Sequence, residues 1–196
     1  MSMALPAPVV LELDAPEQVT NWRPLVQWFL AIPHLFISNL LQSVAGILGL
    51  VSVFTILFTQ TIPEGIVNFQ VTILRYQTRV RAYAGFMHEK YPPFDFTPST
   101  TDPGGDPVRL SVQPEANLNR WLPLVKWFLA IPHYIMIMIY GIAAVVLWIV
   151  NVFIVLFTGK WNPQHRAFIV RFLRYVVRVE VYILLLRDEY PSFSLT

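Results

Sequence analysis

The chain has 196 residues, 55% of them hydrophobic and only 13% charged, with mean hydropathy +0.52 and a formal net charge of +2. Soluble domains carry about 25% charged residues, so the deficit points to a chain whose solvent is partly lipid. The absence of cysteine excludes disulfides, thiolate catalysis and Cys-based metal sites, and the small net charge excludes a strong nucleic-acid footprint.

The N-terminus is polar and Pro-rich up to Thr20. It lacks the charged region and short apolar core of a cleavable signal, so insertion is expected to depend on internal apolar runs. Val9 to Leu13 is a strand candidate. A Trp-rich amphipathic stretch follows, Trp22 to Ile32, and Trp favours the bilayer interface. Pro33 is expected to kink or end it. Leu35 to Phe58 is an apolar run in which Ser38, Gln42, Ala45, Gly49 and Ser52 share one helical face. Such a face suits helix packing within a membrane. From Pro63 to His88 comes a helix bearing Arg75 and Arg79, four apart. It is too charged to span comfortably, so an interfacial position is expected. Tyr91-Pro92-Pro93 stops it. Pro92 to Pro107 reads as a linker, with strong turn chemistry at Asp102-Pro103-Gly104-Gly105.

The chain then repeats itself at a spacing of 99 residues. Trp22-Arg23-Pro24-Leu25-Val26-Gln27-Trp28-Phe29-Leu30-Ala31-Ile32-Pro33-His34 returns as Trp121-Leu122-Pro123-Leu124-Val125-Lys126-Trp127-Phe128-Leu129-Ala130-Ile131-Pro132-His133, identical at eleven of thirteen positions. Leu74-Arg75-Tyr76 returns as Leu173-Arg174-Tyr175, and Tyr91-Pro92 as Tyr190-Pro191. The expected division is a membrane repeat over 1–91, a linker over 92–107 and a second repeat over 108–196. In the second copy Val108, Leu110 and Val112 alternate with Arg109 and Ser111, the period of a strand. Tyr134 to Phe157 has 24 residues, no charge and one amide, Asn151. As a helix it reaches roughly 36 Å, enough for a hydrocarbon core of ~30 Å. Pro163 to Arg187 carries Arg171, Arg174 and Arg178. The expected fold is an all-α integral membrane protein: a tandem duplication with apolar membrane helices, interfacial amphipathic helices and a small two-stranded sheet.

One crossing per repeat would invert the copies and place their basic segments on opposite sides, against the positive-inside rule. Parallel repeats, with two short passes or a re-entrant loop each and both basic helices in the cytoplasm, satisfy it. A multi-pass membrane protein is therefore expected.

Arg75, Arg79, Arg171, Arg174 and Arg178 are placed to clamp anionic lipid headgroups. The plainer alternative is orientation alone, or pairing of Arg79 and Arg178 with Glu89, Asp188 or Glu180. Trp22, Trp28, Trp121, Trp127, Tyr76 and Tyr175 are expected to anchor at the membrane interface. His34 and His133 hold equivalent places, and paired imidazoles suit haem or chlorophyll-type magnesium. Capping of backbone freed by the preceding proline is the commoner role. Ser52 and Asn151 align at mid-run, either in a polar path or in an interhelical hydrogen bond worth about 1 kcal/mol. No phosphate-cradling Gly loop, GxSxG or paired-His metal motif occurs, so neither enzymatic activity nor a cofactor is expected. The leading function is a non-enzymatic accessory or scaffold subunit of a larger membrane complex, with membrane lipids and other membrane subunits as partners and no nucleic acid. The alternatives are a lipid-binding or transport component with a site between the repeats and, behind it, a His-ligated pigment protein.

The Trp-x-Pro-Leu-Val-x-Trp-Phe-Leu-Ala-Ile-Pro-His motif, Leu156 to Gly159, Leu-Arg-Tyr-x-x-Arg-Val and Asp188-Glu189-Tyr190-Pro191 together resemble the bacterial family called domain of unknown function 4389. The resemblance covers nearly the whole chain and both copies. It implies a duplicated inner-membrane protein, common in actinobacteria, and no established activity. The first copy departs from the motif, with Gln60 in place of Gly159 and His88-Glu89-Lys90 in place of Arg187-Asp188-Glu189.

Overall fold

The computed structural model describes residues 7–195 as two strands and six helices. They are β1 (Val9–Leu13), α1 (Arg23–Leu30), α2 (Ile32–Thr59), α3 (Glu64–Ala84), β2 (Val108–Val112), α4 (Pro123–Leu129), α5 (Ile131–Thr158) and α6 (Pro163–Ile183). The all-helical, duplicated plan with one small sheet is present.

The sheet shows how the copies are related. β1 and β2 pair antiparallel with Leu11 opposite Leu110, and Leu110 is the residue 99 places after Leu11. A position pairs with its own equivalent only on a two-fold axis. The axis of an antiparallel ladder that exchanges the strands runs perpendicular to the sheet. Leu11, Leu110, Val108 and Val112 are buried on the inner face, as the period of two requires. On the outer face Arg109 pairs with Glu12 at 3.0 Å and Asp14 at 2.6 Å.

The same exchange runs through the molecule. Val19 N–H donates to Gly159 O at 2.8 Å, and Leu118 N–H to Gln60 O at 2.9 Å. Asp14 N–H donates to Pro107 O and Gln113 N–H to Pro8 O, both at 2.8 Å. Each strand and the strap after it therefore pack on the other copy. One core results, with Val67, Val71 and Leu74 of the first copy joined by Val177, Val181 and Leu186 of the second.

Pro33 and Pro132 stand in the first turns of α2 and α5, where a missing N–H costs nothing. They separate a short helix from a long one. α2 and α5 are uninterrupted helices of 28 residues, so the two short passes per repeat expected with a kink at Pro33 are not formed. Both long helices end on a left-handed residue, Gln60 (φ 63°) and Gly159 (φ 66°). Glycine takes that conformation freely, whereas Gln60 costs about 1 kcal/mol.

α3 and α6 depart most from expectation. The sequence suggested interfacial helices, yet 14 of the 21 residues of α3 are buried, Arg75, Tyr76 and Arg79 among them. Polar groups can be buried when each finds a partner, and these partners come from segments remote in sequence. The sheet packs on α3 and α6, α2 packs on α3, and α5 on α6; the sheet touches neither α2 nor α5. The layers run sheet, then α3 and α6, then the long apolar helices. The polar face of α2 is partly turned into this stack, with Ala45 and Ser52 buried; Gln77 Nε2 donates to Gln42 Oε1 at 2.9 Å and Ser38 O at 3.2 Å, while Gln42 itself stays exposed.

Candidate functional site

Two clusters of chemistry-bearing residues occur, each present once per copy. The first centres on histidine. His34 lies in the first turn of α2, and its Nδ1 meets the Tyr76 hydroxyl of α3 at 2.7 Å. His133 and Tyr175 repeat the contact at the same 2.7 Å. His34 stacks on Phe94 at 4.4 Å with Tyr91 at 4.5 Å; His133 stacks on Phe193 at 4.5 Å with Tyr190 at 4.6 Å. The Tyr-Pro segment after each buried helix thus folds back as a lid over its histidine. Burial pushes both phenols up to about 12, so they remain neutral hydrogen-bonding groups. With both imidazoles fully buried and a ring face of each closed by phenylalanine, the geometry leaves no room for a macrocycle there. Among the described residues no cluster of His, Asp and Glu fit to hold a metal occurs. Helix capping is replaced by the bond to tyrosine. Tyr76 and Tyr175, expected at the membrane interface, are sealed inside because their hydroxyls complete these pairs.

The second cluster centres on arginine. In the first copy Arg75 Nε donates to Leu110 O at 3.1 Å and its Nη2 to Ser99 O at 2.8 Å. Arg79 Nε donates to Val108 O at 3.1 Å, and its Nη2 reaches both oxygens of Asp102 at 3.1 and 3.0 Å. Asp102 also lies 3.2 Å from Arg75 Nε, and Asp106 3.8 Å from Arg79. Burial pulls the Arg75 guanidinium below its ordinary value, and Asp102 opposes that pull. Residues 92–107, read as a linker, are what close this cluster: Asp102 accepts from the N–H groups of Gly104 and Leu110 at 2.8 and 2.9 Å, and the turn chemistry aims its carboxylate at two arginines. Arg75 and Arg79 are thereby unavailable to a lipid headgroup, and Arg79 pairs with none of the acids the sequence offered. Glu89 instead meets Arg23 at 3.3 Å, Asp188 meets Lys126 at 2.8 Å, and Glu180 meets Arg81 at 2.5 Å.

The second copy is built differently. Arg174 Nε donates to Leu11 O at 2.9 Å, the equivalent of the Arg75 bond to Leu110, and Arg178 donates to Ser194 O at 2.5 Å. The residues 99 places before Asp102 and Asp106 are Met3 and Ala7, which carry no carboxylate; Met3 lies outside the described residues. Arg174 is exposed. Among the described residues a cavity of about 530 Å³ runs along β1 and α6, lined by Val9, Glu12, Arg174, Arg178, Tyr182 and Arg187. Arg171 does not line it; it is exposed and donates to Ala167 O of its own helix at 3.3 Å.

Other expected residues are dispersed. Trp22, Trp28, Trp121 and Trp127 are exposed on or beside α1 and α4. Ser52 bonds to Leu48 O of its own helix at 2.8 Å. Asn151 ties α5 to α6 through His165 at 2.8 Å and the N–H of Asn162 at 3.1 Å, so it is interhelical glue. Sequence reasoning missed Asp102, the buried equivalents Gln27 and Lys126, which donate to His88 O at 2.6 Å and Arg187 O at 2.6 Å, and the Arg81–Glu180 bridge. The last was readable, because 81 and 180 are equivalent positions of opposite charge.

No curated protein and no solved structure matches the chain. Residues 21–95 and 120–194 each match the family described as a domain of unknown function, DUF4389; these segments are offset by the same 99 residues as the duplication, cover most of the chain, and make it a member of that family.

Proposed function

We propose that this protein is a non-enzymatic accessory or scaffold subunit of a bacterial inner-membrane assembly, and that its second copy receives an acidic segment of a partner. The observation that carries this reading is the difference between the two arginine clusters. The first copy contains its own template for the ligand: an extended, turn-rich segment whose Asp102 closes on Arg75 and Arg79. Among the described residues the equivalent groove, lined by β1 and α6, leaves Arg174 exposed. A partner with a carboxylate on a similarly extended segment fits it, since bidentate arginine–carboxylate pairing is both strong and directional.

The groove is lined by β1, α6 and the segment after α6, and by no residue of α2 or α5, which favours a protein ligand over a lipid headgroup. The test is affinity purification in mild detergent of the wild type and of Arg174→Glu, followed by mass spectrometry. A stoichiometric partner retained by the wild type and lost from the variant is the expected result. A solitary protein carrying lipid, released equally by both, would sink the reading and move the search to lipid handling.

A further inference from the structure

The segments Ile32–Thr59 and Pro123–Thr158 are long and apolar enough to cross a membrane. The two-fold relation decides how both can sit in one. Asn21, just before α1, donates from Nδ2 to Leu156 O near the end of α5 at 3.1 Å. Leu118, just before α4, donates to Gln60 O at the end of α2 at 2.9 Å. α1 and α4 advance only about 12 and 10 Å before α2 and α5 begin. Each long helix, about 42 Å, therefore starts near the other's end, and the two run in opposite senses.

A two-fold axis along the bilayer normal relates helices that cross in the same sense. Helices of opposite sense related by such an axis must lie nearly flat. An axis in the bilayer plane would let both cross, but it would then run through mid-bilayer, because it passes at the mean height of the two helices. The sheet sits on that axis. Its outer face carries Glu12, Asp14 and Arg109, with side chains 55%, 67% and 35% exposed. Ionised groups exposed at mid-bilayer are costly and rare.

We propose that α2 and α5 do not cross the bilayer but lie along it, forming with α1 and α4 a monotopic apolar base sunk into one leaflet. The axis then stands along the normal. The sheet faces water, α3 and α6 form the middle layer, and the long helices lie at the bottom, which is the observed layer order. The occupant of the base is lipid. Neither long helix contains a charged residue, and Phe36, Phe58 and Phe157 are 73%, 79% and 83% exposed. Trp28 and Trp127 on the short helices, 52% and 67% exposed, are suited to the interface where the indole N–H finds polar partners. Apolar faces of this kind settle about 5–10 Å into the headgroup and acyl boundary. This arrangement replaces the multi-pass expectation and removes its topological conflict, since both basic helices stay on one side of the membrane.

The cysteine-free sequence permits a clean test in the full-length protein. Single cysteines at the exposed positions Phe36, Leu40, Ile47, Phe54 and Phe58 of α2 are spin-labelled in vesicles of phosphatidylethanolamine and phosphatidylglycerol. Depth is read from collisions with oxygen and with a water-soluble nickel chelate. The expected result is one shallow depth along the whole row. A crossing helix would instead be deepest at Ile47 and shallow at both ends, and that profile overturns the proposal. A second measurement uses Thr61→Cys and Lys160→Cys, which are exposed and 99 apart, with a membrane-impermeant maleimide. Both are expected to label from the same side of the membrane. Labelling from opposite sides marks an inverted pair of crossings and refutes the flat base.

Discussion

The two copies hold the same arginine pair in two different states. Arg75 and Arg79 are sealed, 3% and 2% exposed, around Asp102; Arg174 is exposed beside an open groove. Residues 92–107 close the first site through Asp102, and the positions equivalent to Asp102 and Asp106 carry no carboxylate. The closed site became structural, because a buried guanidinium pair without a carboxylate would be untenable. In the second copy Arg174 stays exposed among the described residues. Symmetry thus separates what the fold requires, which appears twice with the same geometry, from what one copy alone has acquired.

The sharpest way to break this contrast is to remove the shared carboxylate. Asp102→Ala leaves the buried Arg75 and Arg79 with Asp106, 3.8 Å from Arg79, as their nearest carboxylate, and is expected to cost about 3–5 kcal/mol in thermal or denaturant unfolding at fixed detergent. Arg174→Ala, exposed and bonded to one backbone carbonyl, is expected to cost under ~1 kcal/mol. Equal losses in the two variants would mean that the second cluster is as structural as the first.

The histidine pairs should behave in the opposite way. Tyr76→Phe and Tyr175→Phe each remove one hydroxyl from a buried hydrogen bond of 2.7 Å. Each is expected to cost about 1–3 kcal/mol, with the two values within ~0.5 kcal/mol of each other and additive in the double variant. A large cost on one side only would show that the copies differ here as well, and would reopen a functional role for that histidine.

Much of this was legible in the sequence because it is local or repeated. The 99-residue register, the alternation of Val108 to Val112, the proline boundaries and the apolar runs all follow from short-range chemistry. The His–Tyr pairs were within reach, since His34 to Tyr76 and His133 to Tyr175 share one spacing of 42 residues. The fate of α3 was not legible. Its arginines read as surface charge because their partners, Asp102 and the carbonyls of β2, lie 23 to 35 residues away, and nothing local marks a Pro/Gly/Asp turn as the lid of a buried cluster. The exchange of strands between copies was hidden for the same reason: pairing Leu11 with Leu110 is decided by the whole stack and not by either strand.

Charge at the axis gives a finer handle. Arg81 and Glu180 are equivalent positions, and a strictly symmetric duplication would put two like charges there; the chain carries opposite charges instead, 2.5 Å apart. Both side chains are partly exposed, 33% and 24%, so screening limits the bridge to about 0.5–1 kcal/mol. Arg81→Glu alone and Glu180→Arg alone should each destabilise by slightly more than that. The double exchange should restore most of the loss, and a double-mutant cycle without coupling would show that the bridge contributes nothing.

The smallest expected effect comes from the pair of equivalent positions His88 and Arg187. His88 is buried, 1% exposed, and burial lowers its affinity for a proton below the usual histidine value near 6.5, with nearby Asp106 opposing and Lys90 both opposing and assisting that shift. The unfolded chain therefore binds a proton at this residue before the folded one does. Stability contributed by the neutral imidazole is present above pH 6.5 and is lost as the pH falls below it. One group cannot give a slope steeper than one proton, about 1.4 kcal/mol per pH unit. Unfolding free energies from pH 8 down to pH 5 should show that decline in the wild type and a flatter profile in His88→Gln. An unchanged slope in the variant would assign the decline to His34 and His133, whose proton affinity burial also lowers. Arg187, which stays charged throughout this range, gives the second copy no counterpart of His88, whereas His34 and His133 are matched between the copies.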